Sequence, residues 1–151
     1  MTATPDPLAA ANAIARFFAA VDDRRWSDAE AVMSDPFHLD YSSFGAGPGA
    51  DRAPKDILQG WSQFLPGFEH THHQLGNLDL AIDGDSARAQ CYGTATHVIG
   101  DRVWTVVGVY HLTLRRAEQG WKLTGNRFAF KYQSGDTDLP AEAQKRMVGE
   151  G

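Results

Sequence analysis

The sequence predicts an α+β fold, a cone in which a curved antiparallel sheet wraps around three N-terminal helices. Three observations carry that expectation. Apolar residues recur at helical spacing as far as Leu65. From Phe68 the period changes to alternation and keeps it to about Tyr132. The alternating runs are joined by Asp83-Gly84-Asp85, Gly100-Asp101 and Glu118-Gln119, connectors of hairpin chemistry, so neighbouring strands should run antiparallel. Helices first and a meander after is α+β organisation. The chain has 151 residues, 42% of them hydrophobic, enough for one domain over 1–151 with its own core.

Residues 1–7 read as a loose tail. Asp6 before Pro7 suits a helix start, the carboxylate capping and the proline in the first turn, so a helix is expected from about Leu8 to Asp23. A second, shorter helix begins near Ser27 and runs to Met33, where Asp35-Pro36 stops it. The run FHLDY (37–41) alternates, with Phe37, Leu39 and Tyr41 on one face and His38 and Asp40 on the other. Residues 42–54 form a glycine-rich loop without the GxxxxGK[ST] pattern of a phosphate cradle. A third helix, Lys55 to Leu65, turns Ile57, Leu58, Trp61 and Leu65 inward, and Pro66-Gly67 ends it. Four strands follow: His70–Ile82, Ser86–Ile99, Val103–Arg116 and Gly120–Tyr132. Residues 136–151 read as a polar tail, helical over about 141–148, that can cover the mouth of the cone or a neighbouring subunit.

Composition narrows the function. A net charge of −5 argues against a nucleic-acid surface, which needs a clustered basic face. No apolar run reaches membrane-spanning length and MTATPDPLAA lacks the regions of a signal peptide, so a cytoplasmic location is the default expectation. The single cysteine, Cys91, rules out an internal disulfide and a multi-cysteine metal site. His70, His72 and His73 cluster in sequence, but a strand sends His72 and His73 to opposite faces, and no HExxH or histidine–carboxylate pattern accompanies them. No metal site is expected.

The chemistry centres on IARFFAAVDDRRW (14–26). Ile14, Phe18, Asp22 and Trp26 fall one below another on a single helix face, which sets a carboxylate on an apolar stripe. Either Asp22 is solvated where the helix ends, or it is buried and needs a partner. In the second long strand Ala87, Ala89, Cys91, Gly93, Ala95 and His97 share a face, and so small a face leaves a hollow with His97 at its end. In the third strand Trp104, Val106, Gly108, Tyr110 and Leu112 form the inner face. In the first, alternation leaves open whether His73 or His72 is inward. Asp22 paired with His97 would leave His73 to exchange a proton near neutral pH, with tyrosine hydroxyls polarising a carbonyl. Equally, His73 and His97 fit as core-edge histidines with backbone partners.

Over VDDRRW (21–26), LDYSSF (39–44), HQLGN (73–77), ATH (95–97) and GWKLTG (120–125) the chain resembles the SnoaL-like branch of the nuclear transport factor 2-like superfamily, and within it the scytalone dehydratases. The resemblance runs from the first helix to Tyr132. It implies the cone fold and maps the family's catalytic aspartate, tyrosine and two histidines onto Asp22, Tyr41, His73 and His97, with Phe44 as a pocket aromatic. It implies a cofactor-free elimination of water. There His73 takes the proton beside the carbonyl, the Asp22–His97 pair binds and orients, and tyrosines hold the carbonyl through water. Two positions depart from the pattern: Val21 stands where the family has a second tyrosine, and Tyr110 where it has a small amide. Both touch substrate recognition, so a different aromatic or polycyclic substrate is expected, contacted by Phe44, Trp61, Trp104, Tyr110, Asn126 and Phe128. A ketosteroid-isomerase-like isomerase or cyclase, and a non-catalytic binding or assembly module, are the alternatives on this fold. A homo-oligomer, dimer or trimer, is expected through the outer sheet face, where Tyr92, Thr94, Val107, Val109 and His111 are more apolar than a solvated face needs.

Overall fold

A computed structural model describes residues 6–149; of the tail expected at 1–7, residues 1–5 lie outside it, as do 150–151. Helix α1 (Pro7–Asp22) starts as expected, with the Asp6 carboxylate accepting the Ala9 N–H at 3.1 Å and Pro7 in the first turn. Helix α2 is Trp26–Ala31, β1 Met33–Asp40, β2 Ala50–Arg52 and α3 Pro54–Ser62. Then come β3 (His70–Asp83), β4 (Ser86–Ile99), β5 (Arg102–Ala117), β6 (Gly120–Gly135) and α4 (Leu139–Met147). Among the described residues no helix is long and apolar enough to cross a membrane.

One sheet of six strands, in the order β2-β1-β6-β5-β4-β3, curves around the helices without closing into a barrel. It is mixed, not purely antiparallel, because β1 runs parallel to β6. The meander β3 to β6 is antiparallel throughout, as short hairpin connectors require. The first strand reaches the far side of the sheet through α3 and the loop around it, which frees its direction.

Several boundaries differ from the sequence reading. Asp35-Pro36 does not end α2 but lies inside β1, where the pairing with β6 is irregular between Met33 and His38. A proline has no N–H to give a ladder, and an interrupted ladder asks for none. The loop 42–54 holds a 3-10 turn (Ser42–Phe44) and the short strand β2. The third helix stops at Ser62, and Leu65–Gly67 forms a separate 3-10 turn. The helix expected in the tail forms as α4, and over residues 136–149 the chain is docked on the fold, not free. In α4, Leu139 and Ala143 are fully buried against that turn, and a Cβ on Gly67 would strike the Ala143 carbonyl.

The inner face of β4 is buried along its length, but it is not a hollow. The Tyr110 ring occupies the space that a side chain on Gly93 would take, and Phe18 packs on Tyr110 at 4.8 Å between ring centroids. Small residues on one strand therefore make room for large ones from its neighbour and from α1. The open space lies elsewhere, between α1, α3 and the loop after β1.

Candidate active site

A cavity of about 360 Å³ opens there, within the range that suits a small organic ligand. Its walls are mostly apolar: Phe17, Phe18 and Val21 from α1, Leu39 from β1, Phe44 from the 3-10 turn and Trp61 from α3. Tyr41, His73 and Arg52 bring the strongly polar groups.

Asp22 is bound to His73. Its Oδ1 accepts from His73 Nδ1 at 2.7 Å and its Oδ2 accepts the His73 backbone N–H at 2.7 Å, with a longer contact from the Thr71 hydroxyl at 3.4 Å. Both side chains are 13% exposed. The topology explains the pairing. Strand β3 is the sheet edge, so backbone N–H groups on its outer side have no strand to bond, and the end of α1 lies against it. Burial on its own would raise the Asp22 carboxyl, but the hydrogen bonds and charge of His73 outweigh it and hold the group below its ordinary value. An ionised carboxylate fixes the Nδ1–H tautomer and leaves Nε2 as the acceptor.

The expected Asp22–His97 pair is therefore not formed. His97, 6% exposed, lies between Phe68 and Trp104 at centroid distances of 4.8 and 4.3 Å, and its Nδ1–H donates to the Trp104 carbonyl at 3.1 Å. Burial pushes its pKa down to about 4, so the ring is neutral at ordinary pH. It does not line the cavity.

Tyr41 presents its ring to the cavity and stacks on Phe128 at 5.5 Å. Its hydroxyl accepts from Asn126 Nδ2 at 3.3 Å and lies beside the hydroxyl of Tyr110. Burial pushes its pKa up to about 12, so it stays a hydrogen-bond donor. Of the substrate-binding candidates, Phe44 and Trp61 line the cavity. Trp104, Tyr110, Asn126 and Phe128 do not. They are buried behind it, the Tyr110 and Phe128 rings tilted against each other at 5.0 Å and Trp104 facing Phe44 at 6.3 Å. They support the wall because their strands are central in the sheet, where rings are covered on both sides.

Two arginines join the site without a local sequence signal. Arg24 ends α1 at φ 59°, a left-handed position usually given to glycine. Its guanidinium donates to the Asp22 carbonyl (2.6 Å), the Thr71 hydroxyl (2.5 Å) and the Leu65 carbonyl (2.9 Å). It thus ties α1, β3 and the turn before β3 together beside the dyad. Arg52 lines the cavity from β2, an element that the glycine-rich composition of the loop concealed.

Comparison with known proteins agrees with this architecture. The sequence profile of the SnoaL-like domain family matches residues 3–127, and the chain belongs to that family. An uncharacterised protein of Mycobacterium tuberculosis is 33% identical over 111 residues, 71% of this chain and 73% of its own. Among solved structures, a protein of Novosphingobium aromaticivorans provisionally named an aromatic ring hydroxylase superposes with a TM-score of 0.78 at 26% identity, covering 91% of this chain and 99% of the other. A second protein of that organism, provisionally named a scytalone dehydratase, gives 0.72 at 17% identity, covering 85% of each chain. Hexachlorocyclohexane dehydrochlorinase LinA-type3 from Novosphingobium barchaimii gives 0.68 at 18%, covering 86% of this chain and 92% of the other. The last two likenesses speak for the fold, which is that of the nuclear transport factor 2-like proteins.

Proposed function

We propose that this member of the SnoaL-like family is a cofactor-independent lyase of dehydratase type, acting on an aromatic or polycyclic ketone. The observation that carries the reading is the Asp22–His73 pair beside an apolar cavity that also contains Tyr41. The carboxylate holds the His73 Nδ1–H, so Nε2 can take a proton from the carbon next to a substrate carbonyl. The Tyr41 O–H, which keeps its proton while accepting from Asn126, polarises that carbonyl through a bridging water as negative charge develops on it. The electron pair left on carbon forms the double bond and expels a hydroxide from the neighbouring carbon. That hydroxide leaves as water by taking the proton back from His73. Structures named for a dehydratase and a dehydrochlorinase share the fold, and elimination is the chemistry that those two names have in common.

In this reading His97 has no proton to transfer. Buried and neutral, it holds the Trp104 backbone and the aromatic wall behind Phe44. The test is product mass from a panel of β-hydroxy aromatic ketones. Loss of one water supports the lyase; an unchanged mass with a shifted double bond supports an isomerase; binding without turnover, equal in wild type and His73→Ala, supports a carrier.

A further inference from the structure

We propose that Arg52 recognises a carboxylate on the substrate, which makes the ligand class an aromatic or polycyclic acid. The inference rests on the reading of the cavity as an aromatic substrate site and adds the group at the ligand's outer end. Strand register carries it. Phe37 pairs with Arg52, His38 with Asp51 and Leu39 with Ala50, and side chains of opposed residues share a face. Phe37 is fully buried and Leu39 lines the cavity, so Ala50 and Arg52 belong to the cavity side. Asp51, the acid beside Arg52 in sequence, is turned to the other face, where its carboxylate is bound to His38 at 2.8 Å.

Among the described residues no carboxylate lies within ion-pair distance of Arg52, although the chain carries 19 acidic residues. The rim around it is built from Ala46, Pro48 and Ala50, too small and too apolar to engage a guanidinium. The Asp22 carboxylate is committed to His73 and does not line the cavity. An unengaged planar fork at the mouth of an apolar slot matches an aromatic carboxylate: ring inward, two oxygens on two N–H donors. Arg52 is exposed, so solvent limits the gain to about tenfold in affinity, the worth of one charge-assisted hydrogen bond.

Equilibrium binding of 2-naphthoate and its neutral isostere 2-naphthamide, neither of which can eliminate, tests the proposal by calorimetry. Wild type should bind naphthoate about tenfold tighter. Arg52→Gln should remove that preference and leave naphthamide affinity unchanged, and Arg52→Lys should restore part of it. Equal binding of the two probes by wild type, or an Arg52→Gln loss shared by both probes, overturns it. The preference persisting without any elimination activity would remove the lyase reading and leave this one. Elimination from neutral ketones with no acid preference would do the reverse.

Discussion

His73 and His97 stand on the inner face of adjacent strands, yet their surroundings make them different chemical groups. His73 sits on the edge strand with a carboxylate on one ring nitrogen and the cavity beside it. His97 sits on the next strand in, under Phe68 and Trp104, with a backbone carbonyl as its polar partner. An edge strand offers unpaired backbone donors that draw in the helix carboxylate; an interior strand, paired on both sides, offers none. The same residue type is thereby bound to a carboxylate beside the cavity at one site and held neutral among aromatic rings at the other.

The sharpest way to break this comparison is to remove each imidazole. His73→Ala should lower turnover on the true substrate by roughly two to four powers of ten, the usual worth of a general base. Asp22→Asn should also lower it, because the amide no longer enforces the Nδ1–H tautomer. His97→Phe should keep most of the activity. Steady-state kinetics of the three variants checks the ranking, and equal losses at His73 and His97 would end the distinction.

Acid should expose the second difference. An unfolded histidine titrates near its ordinary 6.5 and His97 in the fold at about 4, so between those values the unfolded chain binds more protons. The stability that neutral His97 contributes is fully present above about pH 6.5 and is lost as pH falls to about 4. Up to about 3 kcal/mol is at stake. Urea unfolding across that window should show the decline in wild type and little of it in His97→Phe. The depressed Asp22 carboxyl contributes stability that is present above the ordinary carboxylate range and is lost at still lower pH, as the pH falls through its folded value.

Arg24 sharpens the comparison on the His73 side. Arg24→Gly relieves a left-handed backbone at a cost-free residue but deletes the bonds to Asp22, Thr71 and Leu65. The lost bonds should dominate, with a net destabilisation of about 2 kcal/mol by urea unfolding and weaker turnover. The smallest effect is expected on the outer sheet face, where Tyr92 and Tyr132 are half exposed. If that face joins copies of the chain, as we propose, Tyr92→Lys should shift the mass measured by light scattering toward the monomer without changing activity per chain.

Much of this molecule was legible in one dimension. The change of period at Phe68 marked where helices give way to sheet, and the short polar connectors determined the antiparallel meander from β3 to β6. Asp22 on an apolar helix stripe announced a carboxylate in need of a partner, and the alternation of FHLDY turned Tyr41 to the side of the core. These features depend on spacing within one element, and the 3.6 and 2.0 residue periods are local properties of the backbone.

What only the tertiary structure decided depends on contacts between elements far apart in the chain. Which histidine meets Asp22 follows from β3 being the edge strand beside the end of α1, 51 residues away, and no local pattern encodes a sheet order. The parallel pairing of β1 with β6 and the docking of α4 on the turn at Gly67 have the same origin. So has the location of the cavity. Alternation could show that one face of β4 is small, but whether a small face encloses space or accepts a neighbour's ring is decided by packing, and Tyr110 fills it.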